Sequence, residues 1–383
     1  MSSQTDADEI ASTFDGRDLA ERAMTETAHI ELRPRNIGSR IKRVEDRRLL
    51  TGQGMFTDDR AVAGALHVAF QRSVHAHAAI SGIDVGSAAE MPGVVGIYTA
   101  EHLEGLVKPV RATSRMRDYH PTPIYPLARG KVRYVGEPVV ALLAESRYLA
   151  EDALDQIEIA YEPLAPVVDP EFAVLQNVPL LHEEAGTNVL ARREFARGDI
   201  RAEMVAAEVR VGGRFRFHCK TPAAIENRAC IAEYDRGRCS LTVTLSTQIP
   251  GIIRDVLADL LDMPGHSVRV VAPDVGGGFG GKASLYHEEI LAAVLARHLG
   301  RPVRWTGSRL EDLTATSQGF DELVEAELAL DLDGRIRALK AEVIGDVGAY
   351  SIYPWTAALE PVQVISFVPG PTVSRLIAGG RAP

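Results

Sequence analysis

Cysteine is scarce: the 383 residues hold three, Cys219, Cys230 and Cys239, and none are spaced as CxxC. No disulfide framework or thiolate zinc site can be read from them. A four-cysteine iron–sulfur cluster held by this chain alone is excluded too, because it needs four thiolates. The three thiols are expected to be reduced and mostly buried. Long apolar runs are also missing. The longest, Ile290–Ala296, has seven residues, against about 20 for a membrane-spanning helix. No apolar signal core stands at the N-terminus, and the twin arginine of "DRRLL" (Asp46–Leu50) precedes no hydrophobic stretch. Basic residues are in deficit, 42 Lys and Arg against 52 Asp and Glu, a net charge of −10. That argues against nucleic-acid binding, and the expected address is the cytoplasm.

What remains is ordinary for a soluble globular chain, 46% apolar and 25% charged. Residues 1–36 are polar and acidic without periodicity and read as a loose tail. A compact unit is expected over 37–168. It has a strand with Leu66, Val68 and Phe70 on one face, and a strand running into a helix at "VVGIYTAEHL". "KVRYVGEPVVALLAES" reads as a strand pair broken at Gly136–Pro138, followed by a helix capped by Ser146. Pro163, Pro166 and Pro170 mark the end of the unit. His75 and His77 share a face of extended chain, but no third ligand has recognisable spacing, so a structural role is expected.

A connector over 169–190 leads to a second unit, 191–383. Its strand "AEVRVGGRFRF" is interrupted at Gly212–Gly213, and "CSLTVTL" alternates cleanly. Ile252, Ile253, Val256, Leu257, Leu260 and Leu261 fall at helical spacing. A strand "SVRVVAPDV", a helix ended by Gly300 and a strand "PVRWTGSR" follow. Two long strands then flank a tight Asp333–Gly334 turn. The fold class is mixed α/β (α+β).

Between "SVRVVAP" and the following helix lies "DVGGGFGGKAS", Asp274–Ser284. Gly276, Gly278 and Gly281 match the dinucleotide fingerprint GxGxxG. The acid expected about 20 residues on is absent; position 301 is Arg, and the first acid after the next strand is Glu311. Gly276, Gly281 and Lys282 match a phosphate-binding P-loop, but Ala283 stands where a hydroxyl should hold Mg²⁺, and Ser284 is one residue late. The remaining reading is a loop whose backbone N–H groups face some other anionic cofactor, with Phe279 as a wall. Gln248, in "TQIP", ends the preceding strand in the equivalent place, and loops at equivalent strand ends tend to converge.

"TQIP" and "DVGGGFGGK", with "IGSRIKRVEDRRLLTGQGMFTDD", "RSVHAHAAI" and "VGEPVVALLAESRYLAEDALDQIEIAYEPL", resemble the large subunits of molybdenum hydroxylases. These are the xanthine dehydrogenase, aldehyde oxidoreductase and aerobic carbon monoxide dehydrogenase proteins. The resemblance runs from about residue 37 to about 371. It implies an α/β hammerhead domain over 37–168 and the first part of a molybdopterin-binding domain over 191–383. It implies that Gln248 hydrogen-bonds an oxo ligand of molybdenum, and that the backbone of Gly277, Gly278, Phe279 and Gly280 contacts the molybdopterin, in its cytosine dinucleotide form. The metal is held by the cofactor, so no side chain here is a metal ligand. No general base is assigned: Glu226, Glu288 and Glu289 are expected at helix surfaces or strand edges. The implied chemistry is oxidative hydroxylation of an aldehyde, an N-heterocycle or CO. Electrons leave through an iron–sulfur small subunit and an FAD-binding medium subunit, in a dimer of heterotrimers. Ala283 replaces the acid of xanthine-type members, which argues against a purine. Family members are longer, and "TVSRLIAGGRAP" fits no strand expected there. The chain is therefore expected to be a truncated member, or half of a split one, and inactive alone. A Rossmann-type nucleotide-binding protein and a non-catalytic assembly fragment remain as alternatives.

Overall fold

The computed structural model describes residues 38–112, 114, 119–319, 321–351 and 373–376. The expected tail over 1–36 lies outside them. The chain falls into two units, Met1–Gly54 and Met55–Pro383. Among the described residues of the first, a short helix, Asp46–Leu50, is closed by the Thr51 hydroxyl donating to the Arg47 carbonyl at 2.8 Å. Among the described residues no helix is long and apolar enough to cross a membrane.

The second unit is mixed α/β. Its first strands are β1 (Leu66–Arg72), β2 (Ala78–Asp84), β3 (Val94–Tyr98), β4 (Lys131–Val132), β5 (Pro138–Ala144) and β6 (Glu158–Pro163). Then come β7 (Ala191–Glu194), β8 (Val209–Phe217), β9 (Ala229–Asp235), β10 (Ser240–Leu245), β11 (Val268–Val271) and β12 (Val303–Thr306). β13 (Asp321–Leu330), β14 (Ile336–Asp346) and β15 (Val373–Leu376) complete the set. A seven-stranded sheet runs β11-β10-β9-β12-β1-β5-β3. It joins strands from both sequence stretches, through parallel pairing of β1 with β12 (Leu66 opposite Val303).

Four helices matter here: α1 (Arg147–Leu154), α2 (Pro250–Leu260), α3 (His287–Leu299) and α4 (Arg309–Ala315). Every residue of β5 is buried. Its Ala141 and Leu143 join a core with β1, β10, α2 and α3, while Val140 and Leu142 join another with α1. An all-apolar strand is what a sheet covered on both faces requires, and each such large side chain contributes about 1.5–3 kcal/mol. The helix signals act as read. The Ser146 hydroxyl accepts from the Leu149 N–H at 3.3 Å, and Gly300 ends α3 at φ +66°.

Several expectations need correction. β4 and β5 are not a pair: the chain turns at Gly136 (φ +100°), and β4 joins a separate sheet, β4-β2-β6. β8 is not interrupted at Gly212–Gly213. It pairs with β13 over nine residues, and a Cβ on Gly212 would lie 2.9 Å from the Ala326 carbonyl oxygen. The glycine permits close strand approach rather than breaking the strand. "TVSRLIAGGRAP" does contain a strand, because the backbone of β15 finds a ladder partner in β7. Of the thiols only Cys230 is buried; Cys219 is half-buried and Cys239 exposed.

The largest departure concerns charge. Glu288 and Glu289, expected on a helix surface, are 1% and 2% exposed. α3 is buried on every side through its first turns, so its acids must find cations inside. Arg228, itself 1% exposed, places Nη1 2.9 Å from Glu288 Oε2 and 3.9 Å from Glu289 Oε1. Its Nε donates to Thr316 Oγ1 at 2.8 Å, and its guanidinium lies 3.9 Å from the Tyr286 ring centroid. Arg72 Nη2, at the end of β1, lies 2.8 Å from both Glu288 Oε1 and Glu311 Oε1. Burial opposes ionisation of Glu288, but Arg228 and Arg72 more than offset it and hold the carboxyl well below its usual range. Glu289 is pushed up to about 8 by burial, relieved in part by Arg228 and reinforced by the Glu288 charge.

Removing one partner of such a buried pair costs about 3–5 kcal/mol. Arg228→Met is expected to destabilise the fold by that amount in urea unfolding. The two acids act oppositely with pH. Glu288 stabilises fully above its unfolded value of about 4.3 and loses this as pH falls through the lower folded one. Glu289 contributes fully below about 4.3, and its contribution drains away as pH rises to about 8. Glu289→Gln is expected to flatten the stability loss between pH 5 and 8, read from urea midpoints.

Candidate cofactor-binding site

β10 and β11 are parallel neighbours, with Leu241 opposite Val268 and Thr244 opposite Val271. Their carboxyl ends therefore lie side by side. Gln248 follows β10 and the glycine loop follows β11. The structure brings the two into direct contact. Gln248 Oε1 accepts from the N–H groups of Gly280 (3.1 Å) and Lys282 (3.3 Å), and the Gln248 N–H donates to the Lys282 carbonyl (2.8 Å). With its oxygen turned into the loop, the Gln248 amide must present its Nε2 hydrogens outward.

The loop presents donors as well. Gly277 (φ +98°), Phe279 (φ +50°) and Gly280 (φ +90°) are left-handed. The N–H groups of Gly277, Gly278 and Phe279 donate to no group among the described residues. Successive N–H groups in such conformations make a concave anion site. Phe279 is 76% exposed, its ring lying against Gly277. A bulky residue at positive φ is strained, by about 1–3 kcal/mol. Gly278 is required by packing: a Cβ there would sit 2.5 Å from Gln248 Oε1.

Both nucleotide readings fail on this geometry. Lys282 is 3% exposed, and its Nζ lies 2.8 Å from Glu226 Oε2, so it is not offered to a phosphate. β12, the strand after α3, pairs with β9 and β1. A dinucleotide βαβ unit would lay it parallel in the neighbourhood of β11, yet among the described residues β11 has β10 alone beside it and β12 lies beyond β9. His77 Nδ1 lies 2.9 Å from the Ala165 carbonyl oxygen, and the His75 ring stands 4.9 Å from that of Tyr161. Among the described residues no three metal-ligating side chains converge.

Glu226 is neither helix-surface nor strand-edge, as had been expected. It lies in the irregular segment before β9, with its side chain 13% exposed against the loop. Sequence reasoning missed this contact because 50 residues separate Glu226 from Gly276, with no periodicity linking them.

Residues 181–367 match the profile of the molybdopterin cofactor-binding domain. Residues 51–165 match that of the aldehyde oxidase and xanthine dehydrogenase a/b hammerhead domain. The chain belongs to the family of molybdenum hydroxylase large subunits. Nicotine 6-hydroxylase large subunit of Paenarthrobacter nicotinovorans is 37% identical over 324 residues, 85% of this chain and 40% of that one. Carbon monoxide dehydrogenase large chain of Afipia carboxidovorans is 36% identical over 331 residues, covering 82% and 40%. The crystal structure of quinoline 2-oxidoreductase from Pseudomonas putida 86 superposes with a TM-score of 0.86 at 35% identity, over 92% of this chain and 46% of that one. The chain thus spans about 40% of the length of the curated relatives it matches.

Gly278→Ala would drive a methyl into the Gln248 amide. Overpacking of this kind costs about 1–3 kcal/mol. The variant is expected to unfold at lower urea by that amount, whereas Ala283→Gly, outside these contacts, should shift the midpoint by less than about 1 kcal/mol.

Proposed function

We propose that this chain is the cofactor-gripping part of a molybdenum hydroxylase large subunit. The observation that carries the reading is a surface of matched polarity: Gln248 Nε2 and the N–H groups of Gly277, Gly278 and Phe279 are all donors without acceptors among the described residues. Such a surface fits the oxo and phosphate oxygens of a molybdenum–molybdopterin cofactor. Gln248 would donate to an oxo group. The backbone of Gly277–Gly280 would lie along the pterin side, and the exposed Phe279 ring would shield the site from water. When bound, the cofactor supplies two-electron oxidation with oxygen drawn from water. The chain's own residues bind and orient it; none is assigned as a general base or as a metal ligand.

The same reading makes 37–168 the hammerhead domain, 169–190 a connector and 191–383 the first part of the molybdopterin-binding domain, supported by the two profile matches. It takes the cofactor in its cytosine dinucleotide form. Iron–sulfur and FAD subunits would carry the electrons away in a cytoplasmic dimer of heterotrimers. In support, relatives are named as a large subunit, a large chain and a complex subunit gamma. The substrate would be an aldehyde, an N-heterocycle or CO. A second reading is a non-catalytic assembly fragment, which binds its partners without turnover.

Co-purification of the chain with its iron–sulfur and FAD subunits, followed by elemental analysis, tests this. About one molybdenum per complex is expected, with turnover absent from the isolated chain. Gln248→Ala removes one hydrogen bond to a charged group, worth about 1.5–3 kcal/mol, and should lower metal retention on dialysis about tenfold or more. A complex that holds no molybdenum but binds a dinucleotide would overturn the reading.

A further inference from the structure

A single carboxylate oxygen closes the glycine loop. Oε2 of Glu226 accepts from the Gly276 N–H (2.7 Å), the Ser246 hydroxyl (2.7 Å) and Lys282 Nζ (2.8 Å). Gly276 and Lys282 are the two ends of the loop, and Ser246 begins the segment that carries Gln248. The Glu226 N–H donates back to the Gly276 carbonyl at 3.1 Å, so the first end is held twice. The fit leaves no room for a side chain at 276, where a Cβ would lie 2.5 Å from that of Glu226.

The other end acts through main chain. The Lys282 carbonyl accepts from the Gln248 N–H (2.8 Å) and the Thr247 hydroxyl (3.2 Å), and the Lys282 N–H donates to Gln248 Oε1 (3.3 Å). The place of Lys282 therefore sets which way the Gln248 amide faces. The place of Lys282 is in turn set by its buried ammonium, which among the described residues forms a salt bridge with Glu226. A buried cation that loses its partner is strongly penalised, so Lys282 stays where Glu226 is. A carboxylate oxygen with three donors has a single satisfied arrangement, whereas an apolar plug would allow many.

We propose that Glu226 is a positioning residue that, with Lys282, clamps both ends of the 276–282 loop and so aims the Gln248 amide and the free loop N–H groups at the anionic cofactor. The proposal rests on the cofactor reading above. Hydrogen exchange with mass spectrometry on the full chain tests it. In Glu226→Gln and in Lys282→Met, peptides covering 274–284 and 246–249 are expected to exchange about tenfold faster, while those from β5 and α3 keep their wild-type rates. Lys282→Arg, which keeps the charge, should largely retain the protection. If Glu226→Gln does not fold, Glu226→Asp, whose reach is one methylene shorter, carries the same expectation. Wild-type exchange at the loop in the charge-removing variants would overturn the clamp. So would an acceleration shared equally by β5, which marks general destabilisation. Molybdenum content of the wild-type complex, measured alongside, judges the cofactor reading separately. A wild type without molybdenum defeats that reading, and the exchange pattern still decides the clamp.

Discussion

Parallel pairing of β10 with β11 is the constraint on which the site depends. Parallel neighbours end on the same side of a sheet, so whatever follows them is delivered to one place. Here Gln248 follows one and the glycine loop the other, and three hydrogen bonds between Gln248 and residues 280–282 join them. A side chain reaching across from one strand end supplies the acceptor that fixes the loop, and in doing so exposes its own donors. The polarity of the surface follows from that exchange: the oxygen is consumed internally and the N–H groups are left.

Behind this surface the interior is unusually ionic. Arg228, Glu288 and Glu289 lie almost wholly inside, with Arg72 beside them, and Lys282 pairs with Glu226 under the loop. Buried pairs of this kind add little net stability over apolar packing, because desolvation takes back most of the Coulomb gain. Their effect is on geometry. Arg228 ties the start of α3 to α4 and β9, and Lys282 ties the loop to the segment before β9. The loop and the start of α3 are thus each fastened to the segment before β9 as well as to one another.

Much of the fold was legible because its signals are local. β5 reads as apolar throughout, β10 alternates, Ser146 and Gly300 stand at helix ends, and each signal is produced by residues within a turn or two of one another. The errors fall where a partner distant in sequence decides. Gly212–Gly213 looks like a break until β13 is laid against it. Gly136–Pro138 looks like a hairpin until β4 is seen to leave for another sheet. Glu288 and Glu289 look like surface acids because the charges that neutralise them come from β1 and the approach to β9.

The sequence by itself determined the class of fold and the two segments that make the site, since strand periodicity, capping residues and a glycine-dense loop are properties of short stretches of chain; the family came from the resemblance its motifs carry. The tertiary structure alone decided what those segments offer. Lys282 is a partner of Glu226 and not a phosphate ligand, the Gln248 oxygen faces inward, and three loop N–H groups remain unspent among the described residues. The first two depend on atoms 56 and 32 residues away in sequence, and no local pattern encodes which distant atom arrives.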